Sequence, residues 1–293
     1  MFSLAGKRIG FATMDALSEL TQADQLAAEL LRTGGARVDA VVWTDGSVKW
    51  DAYDAIVIRS TWDYHLQPER FLYWLETLEK SGAKIFNPLS ILRWNIDKHY
   101  LLDLRARNIQ IPRTVILETG QTFHFEQIRA AFAIDEVVVK PAVSASAWET
   151  KRISLAKFSS QDLEWIAELL TRKTLIIQEY MPEVSLEGEW SFLFFGALFS
   201  HAVVKRPAKG DFRVQEELGG TYSLEIPPER LVEQALEVVR TIKEPLLYAR
   251  IDAVVRNEQL YLMELELVEP ALFFDVSPAS ANAFCERLAA IFK

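Results

Sequence analysis

The stretch LYLMELELVEP, residues 260–270, has the apolar content of a buried strand yet carries Glu264, Glu266 and Glu269. Side chains alternate across a strand, so Glu264 and Glu266 are expected on one face, with Met263, Leu265 and Leu267 on the other. Residues 249–255 read as a partner strand joined through RNEQ, which brings Asp252 to the same hairpin. Clustered carboxylates of this kind supply the hard oxygen donors that suit Mg²⁺. An exposed acidic stripe on an edge strand is the competing reading.

Cations stand elsewhere in the chain. Lys140 closes the apolar run VVVK and precedes the small-residue loop PAVSASA. An ammonium there has a carboxylate partner or awaits an anionic ligand, because an unpaired buried charge is costly. Lys98 follows Asn95, which is expected to cap a helix holding Lys98, Leu101, Leu102 and Leu104 before Ile111-Pro112 ends it. A solvated lysine is the alternative at that position. QEYMPEV follows a further strand, where extended backbone could bond an adenine edge or be a plain strand end. RSTWDYH, residues 59–65, leaves the carboxyl end of a strand, where α/β sheets gather ligands. It is a candidate substrate loop, or a surface loop anchored by Trp62.

The elements that must position these groups are legible from periodicity. Strands at 7–13, 37–43 and 55–59 alternate with helices at 22–32 and 68–80, the first helix stopping at Gly34-Gly35. Such alternation implies a small parallel α/β unit ending near Pro88. A compact α+β section follows, with strands at 136–140 and 174–179 around a helix near 161–170. Long strands at 189–195 and 197–205, a loop RPAKGDFRVQEELGGT, a helix at 228–242 with Pro in its first turn, the acidic hairpin and a terminal helix complete the chain. The expected fold class is therefore α/β with α+β, divided at 1–92, 93–184 and 185–293.

Composition narrows the function. The 293 residues carry a net charge of −9, which argues against nucleic acid, whose binding rests on Lys and Arg neutralising phosphates. The single Cys285 lies at helical spacing among apolar residues and suggests a core position and a reducing cytoplasm. MFSLAGKRIGFAT lacks a long apolar core with a cleavage site, and no run approaches the roughly 20 apolar residues of a membrane span, so an unsecreted protein without a membrane partner is expected. His65, His99, His124 and His201 are scattered, which disfavours a histidine zinc site. There is no Gly-x-Ser-x-Gly elbow, full dinucleotide fingerprint or P-loop.

In order, IVIRSTWDYHLQPERF, NPLSILRWNIDKHYLLDL, VVVKP, IIQEYMPEVSLEGEWSF, KRPAKGDFRVQEELGGT, IDAVV and MELE resemble the ATP-grasp superfamily, and within it the glutathione-synthetase-like ligases. The resemblance covers nearly the whole chain. It implies an ATP-grasp fold preceded by a parallel α/β domain, with 93–184 as the lid and 185–293 carrying the metal site. It places the nucleotide phosphates on Lys98 and Lys140, with help from the Ser144 and Ser146 hydroxyls. Adenine falls to Glu179 by side chain and to Tyr180 and Met181 by backbone. Glu189 is implied for the ribose, with Glu187 also assigned to the nucleotide. Lys205 or Arg206, and then Arg213, are implied to steady the transferred phosphate and the substrate carboxylate. Asp252, Glu264 and Glu266 match the metal ligands. Arg59, Ser60, Thr61, Trp62 and Asp63 are candidates for the substrate, with Asp63 on an amino group and Glu269 on substrate or loop structure.

Three departures from the family pattern point to a side branch. PAVSASA stands where a glycine-rich loop is usual, Glu266 replaces the Asn of Glu-x-Asn, and Gln215 replaces the Asn after the loop arginine. The chain resembles most the branch typified by the cyclo-ligase of cycloserine biosynthesis, which has similar RSTWDY and MELEL-EP stretches. The implied cofactors are ATP and Mg²⁺, with the extra carboxylate suited to two ions. The implied reaction joins a small carboxylate and an amine through an acylphosphate, and dimers are common among such ligases. An intramolecular ligase shares the same activation chemistry. A kinase, or a nucleotide-binding protein without turnover, is a rival of another class.

Overall fold

The computed structural model describes residues 2–132 and 134–292, which form three sheets. The first section runs β1 (Arg8–Thr13), α1 (Gln22–Thr33), β2 (Arg37–Val42), β3 (Ala55–Ser60), α2 (Pro68–Ser81) and β4 (Lys84–Phe86). Its four strands are parallel in the order β2-β1-β3-β4. The bounds expected for the first three strands and two helices agree within one residue. Thr21 caps α1 by accepting the Asp24 amide at 3.0 Å. Pro68 opens α2, whose Phe71, Trp74, Leu75 and Leu78 share one buried face at helical spacing.

The middle section contains α3 (Leu89–Asn95), α4 (Tyr100–Ala106), β5 (Thr114–Leu117), α5 (Phe125–Ala131), β6 (Glu136–Pro141), β7 (Lys151–Ser154), α6 (Ser160–Leu170) and β8 (Leu175–Glu179). Its antiparallel sheet has the order β5-β8-β6-β7. Then come α7 (Glu183–Leu186), β9 (Glu189–Phe195), β10 (Leu198–Arg206), β11 (Thr221–Glu225), α8 (Glu229–Arg240), β12 (Tyr248–Arg256), β13 (Gln259–Glu266) and α9 (Pro278–Ala290). This third sheet is antiparallel, β11-β10-β9-β12-β13. No described helix is long and apolar enough to cross a membrane.

Two expectations are corrected here. Asn95 does not cap the helix holding Lys98: it ends α3, and Lys98 sits in the turn before α4. The buried Asn95 amide instead donates to Leu265 O at 2.8 Å and accepts from Leu267 N at 2.7 Å. It acts as a substitute neighbour for the outer edge of β13, where an amide's paired donor and acceptor match a strand's backbone. Second, Met263 does not share a face with Leu265. The register skips between Asp252↔Glu264 and Ala253↔Leu262, a bulge that leaves Met263 as the extra residue. Leu260, Leu262, Leu265 and Leu267 all join one core, while Met263 and Tyr261 pack towards Met181 and Val184.

The sheets share cores. Phe284, Cys285 and Leu288 of α9 pack with Ala27 and Leu31 of α1 and with Leu193 and Phe195 of β9. Cys285 is fully buried, and burial pushes its thiol up to about 12. Asn87 is likewise buried: its amide nitrogen donates to Tyr248 O (2.9 Å) and Leu267 O (2.8 Å), and its oxygen accepts from Leu247 N (2.7 Å). The Tyr248 hydroxyl meets Ile58 O (2.7 Å) and Val268 O (2.9 Å). These bonds lock the carboxyl end of the first sheet beside the hairpin.

His201 on β10 is buried, with Nε2 3.1 Å from Leu272 O, and burial lowers its pKa to about 4. The unfolded chain, at about 6.5, then binds more protons than the folded one between pH 6.5 and 4, so folding loses stability as pH falls through that window. A His201→Gln variant should lack this component: wild type should lose on the order of 2–3 kcal/mol more than the variant between pH 7 and 4, measured by urea unfolding.

Candidate active site

A cavity of about 270 Å³ lies where β6, β8, β9, β12 and β13 meet the loop at 207–220 and the segments at 62–64 and 268–273. Its polar floor is a chain of alternating charges. Lys98 Nζ reaches Glu264 Oε1 at 2.9 Å and Ser144 O at 2.7 Å. Lys205 Nζ lies 2.6 Å from Glu189 and 2.9 Å from Asp252. Arg250 spans Asp252, at 3.0 Å, and Glu266. Ser191 Oγ donates to Asp252 at 2.6 Å.

Local sequence explains this register. Glu189 opens β9 directly after Gly188, which has φ +97° and whose added Cβ would lie 2.8 Å from Lys205 O. Only glycine permits that approach, and it brings Glu189 beside Lys205. Arg250 and Asp252, two residues apart on β12, share a face, as do Glu264 and Glu266 on β13.

Burial and neighbours set opposite proton affinities. Burial alone would raise Asp252, but Arg250 and Lys205 outweigh it and hold the carboxyl down to about 2. Lys98 and Lys140 likewise outweigh burial at Glu264 and lower it. At Glu266, burial, with Asp252 and Glu264 adding to it, prevails over the Arg250 contact and pushes the carboxyl up to about 8. Glu269 rises to about 7, chiefly through burial. Lys140 also lines the cavity, and no carboxylate is in ion-pair contact with it among the described residues. Burial lowers its pKa.

The loop after Lys140 has left-handed backbone at Ser146 (φ 49°), Ala147 (φ 54°) and Glu149 (φ 50°). Side-chain-bearing residues thus occupy conformations usually left to glycine, at a cost of order 1–3 kcal/mol each. Ser146 faces the cavity, whereas the Ser144 hydroxyl donates to Pro141 O at 3.0 Å. At the other end, Glu179, Tyr180 and Met181 line the wall. The Met181 amide and Tyr180 carbonyl have no backbone partner among the described residues, as a docking edge requires. The Glu179 carboxylate is engaged by Arg256 at 2.7 Å.

Several residues picked from sequence lie away from the cavity. Arg206 points outward to Ser223 and Glu225, because β10 alternates and Lys205 takes the inner face. Glu187 is exposed at the end of α7. Of the 59–63 stretch, only Trp62 reaches the wall. Arg59 is buried in a 2.8 Å pair with Asp24 and donates to Pro270 O at 2.9 Å. Ser60 bonds Thr13, Thr61 is fully buried, and Asp63 accepts the Trp43 indole N–H at 2.7 Å and does not line the cavity. Arg213 stands on the wall, held by Asp211 through contacts of 2.8 and 3.1 Å. Conversely, sequence reading missed Arg250 and Tyr222, and named Tyr64 and Gln178 only as members of the RSTWDYH and QEYMPEV stretches; all four line the cavity. Arg250 had a usable signal, since strand alternation places it with Asp252.

Among the described residues, no group of three or more carboxylate, imidazole or thiolate side chains is spaced to hold a metal alone. Asp252, Glu264 and Glu266 are thus not a closed protein cage. Mg²⁺ seldom uses one; it binds through one or two carboxylates plus phosphate oxygens and water, and this donor set fits that habit.

Comparison with known proteins adds the lineage. Residues 105–279 match the family described as prokaryotic glutathione synthetase, ATP-grasp domain, and residues 9–87 match that described as D-cycloserine synthetase DcsG, N-terminal domain. The cycloserine biosynthesis protein DcsG of Streptomyces lavendulae is 27% identical over 280 residues, 89% of this chain and 91% of that one. The crystal structure of D-cycloserine synthetase DcsG superposes with a TM-score of 0.87 at 24% identity, covering 98% of this chain and all of that one. A D-alanine–D-alanine ligase from Bacillus anthracis gives 0.68 at 17% identity, over 98% and 96% of the two chains.

Breaking the Arg59–Asp24 pair should act on folding. Arg59→Ala should cost roughly 3–5 kcal/mol by leaving Asp24 buried and unpaired. The Arg59→Ala/Asp24→Ala double variant should lose clearly less than the sum of the singles in urea unfolding, and additive losses would remove the pair's assigned role.

Proposed function

The chain belongs to the prokaryotic glutathione synthetase ATP-grasp family, an ATP-dependent group of ligases forming carbon–nitrogen bonds, and on that premise we propose that this cavity activates a small carboxylate for attack by an amine. A carboxylate oxygen of the substrate bonds to the γ-phosphorus as the bridging P–O bond to ADP breaks. The amine nitrogen then bonds to the acyl carbon, phosphate leaves with the electron pair of the C–O bond, and the amine gives up a proton. The observation that carries the reading is Lys140: a half-buried ammonium on the cavity wall with no carboxylate in ion-pair contact among the described residues, opposite Glu189, Asp252, Glu264 and Glu266, each of which lies against a cation of the chain. It is a site prepared for an anion that the protein does not supply.

Roles follow from placement. Lys140 and Lys98 face the phosphates, with Lys98 also holding the Ser144 carbonyl and hence the strained loop. The Tyr180–Met181 backbone offers an acceptor and a donor for the adenine edge, and Arg256 fixes Glu179 beside it. Glu189, with Lys205, takes the ribose end. Arg213 is positioned to steady the transferring phosphoryl group once it turns from Asp211. Asp252, Glu264 and Glu266 would hold Mg²⁺, in two ions on this reading, and bound Mg²⁺ would neutralise phosphate oxygens. The working units are 1–92 for substrate, 93–184 as the lid and 185–293 for metal and nucleotide, and the lone buried Cys285 supports a reducing cytoplasm.

A second reading is ring closure within one molecule, favoured by the match of residues 9–87 to the N-terminal domain of D-cycloserine synthetase. One compound bearing both functions would then support turnover, where the first reading needs two. A ligase releases ADP and free phosphate together, only with both functions present and Mg²⁺ supplied. Phosphate retained on an organic product would instead indicate a kinase. Lys140→Met should lower kcat/KM by roughly 100- to 1,000-fold. It should leave thermal stability equal or higher, because it removes an unpaired buried charge. Unchanged phosphate release in this variant counts against the assignment.

A further inference from the structure

Apart from Glu216 and Glu217 on its exposed rim, the acids that line the cavity fall into two groups. Glu179, Glu189, Asp252, Glu264 and Glu266 each lie against a protein cation. Glu269 is 8% exposed and lines the same cavity, yet among the described residues no side-chain cation lies within 4.0 Å of its carboxylate and no side-chain donor bonds it. It is the negative counterpart of Lys140.

The backbone on both sides of Glu269 is tied down. Trp62 Nε1 donates to Glu269 O at 2.9 Å, and Arg59 Nη2 donates to Pro270 O at 2.9 Å. Those two bonds come from the strand-end segment of the first sheet, so the carboxylate is held in place by two units of the fold. Trp62, Tyr64, Tyr222 and Phe273 bring aromatic surface to the same cavity. Burial raises the Tyr64 hydroxyl, and the Glu269 charge adds to the rise.

From this geometry we infer that Glu269 is the subsite for a primary ammonium on an amino-acid-like substrate, enclosed by the aromatic wall of Trp62 and Tyr64. The inference rests on the ligase reading only for which molecule arrives. An ammonium supplies a positive charge in direct contact, donates hydrogen bonds to a carboxylate that has no side-chain donor among the described residues, and is attracted to aromatic faces. A neutral hydroxyl in its place would leave the acid buried and uncompensated. The two unpaired charges thus sort the cavity: Lys140 faces the phosphoryl end, and Glu269 faces the ammonium end.

The test uses the full chain saturated with Mg²⁺ and a non-hydrolysable ATP analogue. It is titrated with D- and L-serine and D- and L-alanine, and with glycerate and lactate, in which hydroxyl replaces amine. Binding is read by calorimetry, and phosphate release is measured separately with ATP. At least one amino acid should bind about 10-fold or more tightly than its hydroxy counterpart. Glu269→Gln should weaken that amino acid by about 10- to 100-fold and erase the preference. Affinity for the nucleotide analogue and the Mg²⁺ dependence should stay within about twofold, and Glu269→Asp should recover part of the loss. Retained protection by the nucleotide analogue in a thermal melt shows that the Gln variant is folded. Equal binding of amine and hydroxyl compounds, binding of neither, or a Gln defect repaired by excess Mg²⁺ overturns the inference. Amine-selective binding upholds the subsite whether or not that compound alone supports phosphate release, while phosphate release without amine selectivity upholds the ligase reading and sinks the subsite.

Discussion

Everything at the site depends on compensating buried charge. Glu179, Glu189, Asp252, Glu264 and Glu266 converge on one cavity, and burial alone would drive the last four towards their neutral forms. They remain together because Arg256, Lys205, Arg250 and Lys98 are placed between them, and Arg250 and Lys205 each serve two acids. The compensation is deliberately incomplete at two points, Lys140 and Glu269. An uncompensated charge held by packing is preorganised for a ligand of opposite charge, since no protein partner must be displaced.

That arrangement needs three sheets held in fixed relation, and polar side chains accomplish it where apolar packing would be too permissive. Asn87 and the Tyr248 hydroxyl bond backbone on both sides of the junction between the first sheet and the hairpin. Asn95 and the Tyr100 hydroxyl complete the open edge of β13, the strand that carries Glu264 and Glu266. Being buried, each of these groups would be left unsatisfied by a shift of an ångström or so, so they specify geometry as well as add stability. The Arg59–Asp24 pair belongs to the same set. Its guanidinium reads as a substrate group in sequence, but in the fold it fastens the loop that follows Glu269.

The legible part of the sequence was that in which local pattern and chemistry agree. Long strands with alternating polarity, such as 189–195 and 260–266, fell almost where expected, as did the helices at 22–32 and 68–80. Short elements such as β4, β5, β7 and β11 were not read, because three to five residues carry too little alternation to stand out. At the site, Lys140, Lys98, Glu264, Glu266 and Asp252 do converge on one cavity. Asp63 and Arg206 do not, since a charged residue in an inviting segment has no sequence mark showing which neighbour has already claimed it.

By itself the sequence determined which charges exist, their order along the chain and their strand parity, and so the likeness to ligases that activate carboxylates with ATP. Parity is local: it depends only on the two-residue repeat of a strand. Tertiary structure decided which of those charges cancel. The bulge at Met263, the turn at Lys98 and the approach of β10 to Gly188 are set by packing between elements distant in sequence. Electrostatic partnership depends on distances of 3 to 4 Å across such contacts. Only the folded chain therefore shows that Lys205 is spent on Glu189 and Asp252, while Lys140 and Glu269 have no ion-pair partner among the described residues.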